Sequence, residues 1–350
     1  MKNVVLLTLS LLWAVQLTYG QQPYYNDVDL SLTGQDLYFE LQSKIDISNN
    51  TFTYGDVRDA LKITDEDPNN TNNVLLIYGY NDTDGNCTTD RTRDEDDFGG
   101  LSCEYNREHV FARSNANPDM GDVNNGTTGI GADPHNLRAS DQQMNNNKGS
   151  KKFADGSGTA GNVGSGNWYP GDEWKGDVAR MMMYMYTRYG DRCLPVLNGV
   201  GSTQGSTQML QVFLEWNAED PVSEYEDQRN PYLETAYGNR NPFIDNPYLA
   251  TLIWGGPAAE DRWNLLSADA FVASEVILYP NPASEVIHIK ATSAFQPSSV
   301  VLYDTLGRIV FQNNLNTQQT TISLASFAEG IYLLELQQQE KKVIKKIIVE

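Results

Sequence analysis

The sequence changes character near Val272, and this change constrains the fold more than any other feature. Beyond it, apolar and polar residues alternate in short runs: Val276–Tyr279, Val286–Lys290, Ser299–Tyr303, Ile309–Asn313, Thr320–Ser323, Ile331–Gln337 and Val343–Val349. Pro280-Asn281-Pro282, Gly307 and Gly330 separate them as turns. Alternation with period two marks half-buried strands, and strands at this spacing predict a small β-sandwich. The preceding part is rich in Asp, Asn, Gly and Tyr, and it carries the acidity. The 350-residue chain has 46 acidic and 25 basic residues, a net charge of -21, yet positions 270–350 hold seven acidic against six basic residues. Positions 266–274 then read as a linker between a unit at 21–265 and a tail at 275–350.

Positions 1–20 read as a secretory signal: Lys2 opens it, Val4 to Val15 form the apolar stretch, and Thr18-Tyr19-Gly20 offers a cleavage site. That stretch is short for a membrane span, and no later run approaches its length. An exported chain with no spanning segment in its mature form is expected. Export permits a disulfide among Cys87, Cys103 and Cys193. Cys87 with Cys103 is the favoured pair because it closes a short loop, worth roughly 3 kcal/mol. A pairing with Cys193 stays open.

In the first unit, Thr33 is placed to cap a helix bearing Leu37, Leu41 and Ile45. Tyr54 to Leu61 reads as a second helix, Val74 to Tyr80 as a buried strand, and Asp82 to Gly100 as a polar loop. Within that loop Asp82-Thr83-Asp84-Gly85-Asn86 has its Gly misplaced for a calcium loop and reads as a polar turn. Asp177 is placed to cap a helix over Val178 to Tyr189, whose Val178, Met181, Met182 and Met185 form an apolar stripe. Arg180, Tyr184 and Arg188 share another face, to meet phosphate or to pair with internal acids.

Only three histidines occur, His109, His135 and His288. His288 sits in an alternating tail strand and reads as a surface residue. His109 and His135 lie in a segment crowded with Asn, Asp, Arg and Gly, near Lys148, Lys151 and Lys152 in an otherwise acidic unit. Phosphodiester cleavage needs an attacking water, a base and positive charge on the phosphate. A neutral imidazole suits the base role. Carboxylate and amide oxygens, such as Glu108 and one of Asn145-Asn146-Asn147, suit Mg²⁺. Adjacent strand residues point to opposite faces, so Glu108 and His109 share a site only where the strand ends or bends. The acidity argues against global attraction of a polyanion; any grip on one must be local. No His-Glu-x-x-His motif or zinc-finger spacing occurs, which disfavours a zinc protease.

Tyr105-Asn106-Arg107-Glu108-His109-Val110-Phe111-Ala112-Arg113-Ser114 closely resembles the signature of the bacterial endonuclease I family, within the His-Me finger (ββα-metal) nucleases. Asp133-Pro134-His135-Asn136-Leu137-Arg138-Ala139-Ser140-Asp141, Met144-Asn145, Lys175-Gly176-Asp177-Val178-Ala179-Arg180, Asp220-Pro221-Val222-Ser223-Glu224 and Gly238-Asn239-Arg240-Asn241-Pro242-Phe243-Ile244-Asp245 resemble its further blocks, in order. The chain departs at Asn136, where many relatives carry a second His, and at Ala139, where Pro is common. The resemblance implies an α+β fold, with a ββα-metal core in a mainly helical nuclease domain. It also implies His109 as general base, Glu108 and Asn145 as ligands of one Mg²⁺ (Ca²⁺ or Mn²⁺ as alternatives), and 5′-phosphate products. An arginine near the departing phosphate is implied too, with Arg138 and Arg180 as candidates and Arg113 behind them; His135 is taken as a support for the site residues or as structural.

In the tail, Tyr279-Pro280-Asn281-Pro282, Asp304-Thr305-Leu306-Gly307-Arg308, Gly330-Ile331-Tyr332 and Lys345-Lys346-Ile347-Ile348-Val349 resemble the C-terminal sorting domain of the type IX secretion system. This implies passage through that machinery and a place outside the cell, released or surface-attached. The expected function is a secreted, metal-dependent endonuclease acting on DNA, with RNA left open, with little sequence specificity and as a monomer. The competing reading is a catalytically inactive, surface-displayed nucleic-acid-binding or adhesion protein on the same fold.

Overall fold

The computed structural model describes residues 21–265, 276–291, 297–315, 319–338 and 341–350. The expected signal at 1–20 and linker at 266–274 lie outside them. Helix α1 (Gly34–Asp46) follows Thr33 and buries Leu37, Tyr38, Leu41 and Ile45. Helix α2 (Tyr54–Thr64) opens on a capping box: Thr53 accepts from the Asp56 amide, and the Asp56 carboxylate accepts from the Thr53 amide.

A small antiparallel sheet follows, of β1 (Glu66–Asp67), β2 (Asn70–Leu75) and β3 (Thr92–Asp94). The strand expected at Val74 to Tyr80 therefore starts earlier and ends earlier. Its apolar half, Leu76 to Tyr78, is fully buried but leaves the ladder, because Tyr78 turns to φ 73°. The Ile77 amide donates instead to the Ala139 carbonyl at 2.8 Å, which ties this sheet to the next. In the polar loop, Asp82 accepts from the Arg91 and Thr92 amides, and Asp84 from the Asn86 amide and the Thr89 hydroxyl. Those carboxylates serve the turn. Cys87 and Cys103 form a disulfide, as favoured, and Cys193 is a buried thiol.

The next elements form an antiparallel hairpin and a helix: β4 (Tyr105–His109), β5 (Leu137–Asp141) and α3 (Gln142–Lys148). Register pairs Glu108 with Arg138 and His109 with Leu137. β5 runs straight into α3 because Asp141 caps it, accepting from the Gln143 and Met144 amides. A second hairpin, β6 (Gly161–Val163) and β7 (Asn167–Tyr169), precedes helix α4 (Lys175–Tyr189).

Nearly all of α4 is buried, with its methionines in the main apolar cluster. Asp177 does not cap it: the helix starts at Lys175, and the Asp177 carboxylate accepts from Arg138 Nη1 at 2.7 Å. Helices α5 (Pro195–Asn198) and α6 (Gln211–Glu219) pack against it, α7 (Glu224–Asp227) reaches it through Glu226, and α8 (Arg229–Ala236) packs on α2. Between α4, α7, α8 and β5 lies a buried ionic network. Arg138 meets Asp65 and Asp177, Arg180 meets Glu226 through two nitrogens, and Arg229 meets Asp65.

The tail is all-β. Strands β10 (Ser299–Tyr303), β11 (Ile309–Asn314), β13 (Gly330–Gln338) and β14 (Lys341–Val349) form one sheet in the order β11-β10-β13-β14. Strands β8 (Val276–Tyr279), β9 (Val286–Ala291) and β12 (Gln319–Ser323) form the other. Ile287, Ile289 and Ile322 from one sheet share an apolar cluster with Leu302, Leu334 and Ile347 from the other. His288 Nδ1 lies 2.8 Å from the Thr321 hydroxyl of the neighbouring strand, in an exposed contact.

Candidate active site

Strand β4 ends at His109, and both of its faces become useful there. Residues two apart on a strand share a face. Asn106 and Glu108 therefore turn towards α3, while Arg107 and His109 turn towards Tyr54 at the start of α2. Both of that second pair contact the Tyr54 ring: the Arg107 guanidinium sits 3.6 Å from its centroid, and the His109 ring stacks on it at 5.4 Å. Glu108, His109 and Asn145 line one open pocket of about 680 Å³, with Tyr54, Arg107, Arg113 and Ser150. The strand end is thus where the two adjacent side chains meet one cavity.

His109 is 8 % exposed. Its Nε2 lies 2.8 Å from the Gly131 carbonyl. A carbonyl only accepts, so Nε2 carries the ring proton and Nδ1 keeps a free lone pair. Burial pushes its pKa down to about 4; the Gly131 carbonyl opposes that shift, and Arg113, Lys148 and Arg107 add to it. The imidazole is neutral at neutral pH, as a base must be.

Glu108 is 3 % exposed, at the pocket wall. Burial raises its pKa, opposed by Lys148 and Tyr78. Lys148 Nζ lies 3.2 Å from Oε1, and the Tyr78 hydroxyl donates to the same oxygen at 3.3 Å. Oε2 has no protein hydrogen-bond partner among the described residues. Asn145 donates from Nδ2 to Asn106 Oδ1 at 2.7 Å, which leaves its own Oδ1 uncommitted. Of the three consecutive asparagines only Asn145 lines the pocket; Asn147 accepts from Gln143.

One carboxylate oxygen and one amide oxygen, both uncommitted, fit a hard divalent cation that keeps most of its waters. No group of three or more His, Cys, Asp or Glu side chains is placed to hold a metal among the described residues. A two-ligand oxygen site lies below that number.

The arginines expected at the phosphate lie elsewhere. Arg138 and Arg180 do not reach the pocket. Arg138 is 1 % exposed between Asp65 and Asp177, and Arg180 is fully buried against Glu226. Arg188 resolves the same way, bound to Asp133 at 2.7 Å. These side chains balance internal acids, since a buried guanidinium needs a partner charge. The pocket's own arginines are Arg107 and Arg113. Arg113 is about one-third exposed, donates to the Gly121 carbonyl and faces the fully exposed Asp122 at 3.6 Å. Strand alternation from His109 points to Arg107; helix spacing from Asn145 points to Lys148. His135 stands apart, buried against Tyr184 with Nε2 3.3 Å from the Asn239 carbonyl.

Comparison with known proteins gives two family matches. The Endonuclease I model matches residues 33–248, and the secretion system C-terminal sorting domain matches residues 277–350. The extracellular ribonuclease of Bacillus subtilis (strain 168) is 42% identical over 224 residues, covering 59% of this chain and 71% of that protein. The extracellular ribonuclease of Bacillus amyloliquefaciens is 41% identical over 224 residues, with the same coverage of both chains. Beta-agarase A of Zobellia galactanivorans is 29% identical over 99 residues, covering 27% of this chain and 18% of that protein. Nucleases of the matched family are generally metal-dependent. No helix among the described residues is long and apolar enough to cross a membrane. The chain belongs to the Endonuclease I family: it is a nuclease hydrolase, secreted or held at the cell surface, and it ends in a type IX secretion sorting domain.

Proposed function

We propose that this chain hydrolyses phosphodiester bonds of DNA, and of RNA, with little sequence preference. Residues 21–265 act as a monomeric nuclease unit, and the tail at 275–350 serves the type IX machinery. The hairpin β4–β5 with α3 is read as a His-Me finger. The supporting observation is that Glu108, His109 and Asn145, from two elements, line one pocket.

Glu108 Oε2 and Asn145 Oδ1 would hold one Mg²⁺, with Ca²⁺ or Mn²⁺ as substitutes. When bound, the ion supplies positive charge for the phosphate and the departing 3′ oxygen. His109 Nδ1 takes the proton of the attacking water, while the Gly131 carbonyl and the Tyr54 ring hold the imidazole in place. Arg113, partly exposed at the pocket wall, faces the phosphate in the role first considered for Arg138 and Arg180. Arg107, stacked on Tyr54, adds positive charge beside it.

Attack by water does not use the 2′-hydroxyl, so the sugar is not decisive. Backbone contacts position a strand without reading its bases. Plasmid DNA and RNA digested side by side with Mg²⁺ are both expected to be cut, with cleavage lost in EDTA. Cleavage of RNA alone, or undiminished cutting in EDTA, contradicts this reading.

A further inference from the structure

The two residues assigned to the ion sit on different elements, Glu108 on β4 and Asn145 on α3. Their separation is therefore set by how the helix docks on the strand. Each element carries a second polar side chain on the ligand's own face. On β4 it is Asn106, two residues before Glu108. On α3 it is Lys148, three residues after Asn145.

The contacts cross over. Asn106 of the strand accepts from the helix ligand, Asn145 Nδ2 to Oδ1, at 2.7 Å. Lys148 of the helix approaches the strand ligand, Glu108 Oε1, at 3.2 Å, and donates to the Val110 carbonyl at 3.1 Å. Lys148 is fully buried, with its ammonium 5.0 Å from the centre of the Phe153 ring. A buried ammonium is held where its partners are, so it acts as a fixed strut.

We propose that Asn106 and Lys148 are positioning residues forming a reciprocal clamp, in which each element orients the metal ligand carried by the other. The proposal rests on Glu108 and Asn145 being the ligands. For Asn145 the clamp decides which end of the amide is presented. An amide offers an oxygen or a nitrogen, and only the oxygen suits a hard cation. An acceptor at Asn106 engages the nitrogen and frees the oxygen. For Glu108, engagement of Oε1 leaves Oε2 to the ion.

Partners of this kind change metal affinity by about 10- to 100-fold when removed. The test is calorimetric titration of Mn²⁺ into the metal-stripped full chain, beside thermal melting. Asn106→Leu is expected to bind Mn²⁺ at least about tenfold more weakly, in the range given for such partners. Asn106→Asp keeps the acceptor and is expected to bind at least as tightly as wild type. Asn106→Ala replaces the leucine variant if that one does not melt cooperatively. Lys148→Met is expected to weaken binding as well. Wild-type affinity in the Asn106 variants lacking the acceptor, or a loss with Asn106→Asp as large as theirs, overturns the strand half. Unchanged or tighter binding by Lys148→Met, the result if the ammonium merely repels the ion, overturns the helix half. Asn145→Ala and Glu108→Gln keep the two ideas apart. If they bind Mn²⁺ like wild type, the ligand assignment has failed; if they lose binding while Asn106→Leu does not, only the clamp has failed.

Discussion

Replacing His109 by alanine is expected to slow Mg²⁺-dependent nicking of plasmid by about 10³-fold, the middle of the range for losing a positioned acid–base group. The chain should remain folded. His109 forms the wall of a solvent-open pocket, and its recorded polar contact is the bond from Nε2 to the Gly131 carbonyl. Losing that bond leaves the buried Gly131 carbonyl without its donor, at a cost of about 1–3 kcal/mol. The rate effect has a different origin. Nδ1 is the lone pair that the ring tautomer leaves free, and no other histidine lines the pocket. Single-turnover nicking rates, measured beside a thermal melt, separate the two effects. Full nicking by the variant would remove His109 from the chemistry; an unfolded variant would make it a core residue.

Arg180→Met is expected to have a large effect of the opposite kind. Arg180 Nε and Nη2 bind the two oxygens of Glu226 at 2.7 and 2.5 Å, and Nη1 donates to the Asp220 carbonyl at 2.7 Å. Both side chains are buried. Removing one partner leaves a carboxylate enclosed without its counter-charge, at a cost of about 3–5 kcal/mol. A urea unfolding midpoint should fall accordingly, while KM for plasmid in the still-folded protein stays near wild type. If Arg180 instead held the phosphate, stability would be unchanged and KM would rise.

That contrast shows where the sequence stopped being informative. The Lys175–Arg180 block marks a helix, and spacing placed Arg180, Tyr184 and Arg188 on one face. Whether that face meets phosphate or protein depends on acids far away in the chain, Glu226 for Arg180 and Asp133 for Arg188. One sequence carries no signal of those pairings. Arg138 is the same case, between Asp65 and Asp177. The apolar run at Val74 to Tyr80 was legible as buried but not as irregular, because the turn at Tyr78 depends on tertiary contacts. Asp177 has the composition of a cap and spends its carboxylate on Arg138 instead.

Other features were legible for definite reasons. The tail strands follow from period-two alternation, which a sheet with one buried face imposes directly. Cys87 and Cys103 flank one loop, which favoured their pairing. The meeting of Glu108 and His109 required a strand end, and β4 ends at His109. Strand and helix periods are enough to put Asn106 on the face of Glu108 and Lys148 on that of Asn145, though neither residue stands out in the sequence as part of a site. What they could not show is that the two pairs face each other, which is a property of how α3 docks on β4.

A pocket that directs water at phosphorus and lets the 3′ oxygen leave fixes which ends a cut strand carries. The chemistry of the ends at a nick reads this most directly. Plasmid nicked by the full chain in Mg²⁺ is predicted to carry 5′-phosphate and 3′-hydroxyl ends, so DNA ligase reseals it without prior treatment. Nicks that resist ligase until a 3′-phosphate is removed and a 5′-phosphate is added would contradict the account.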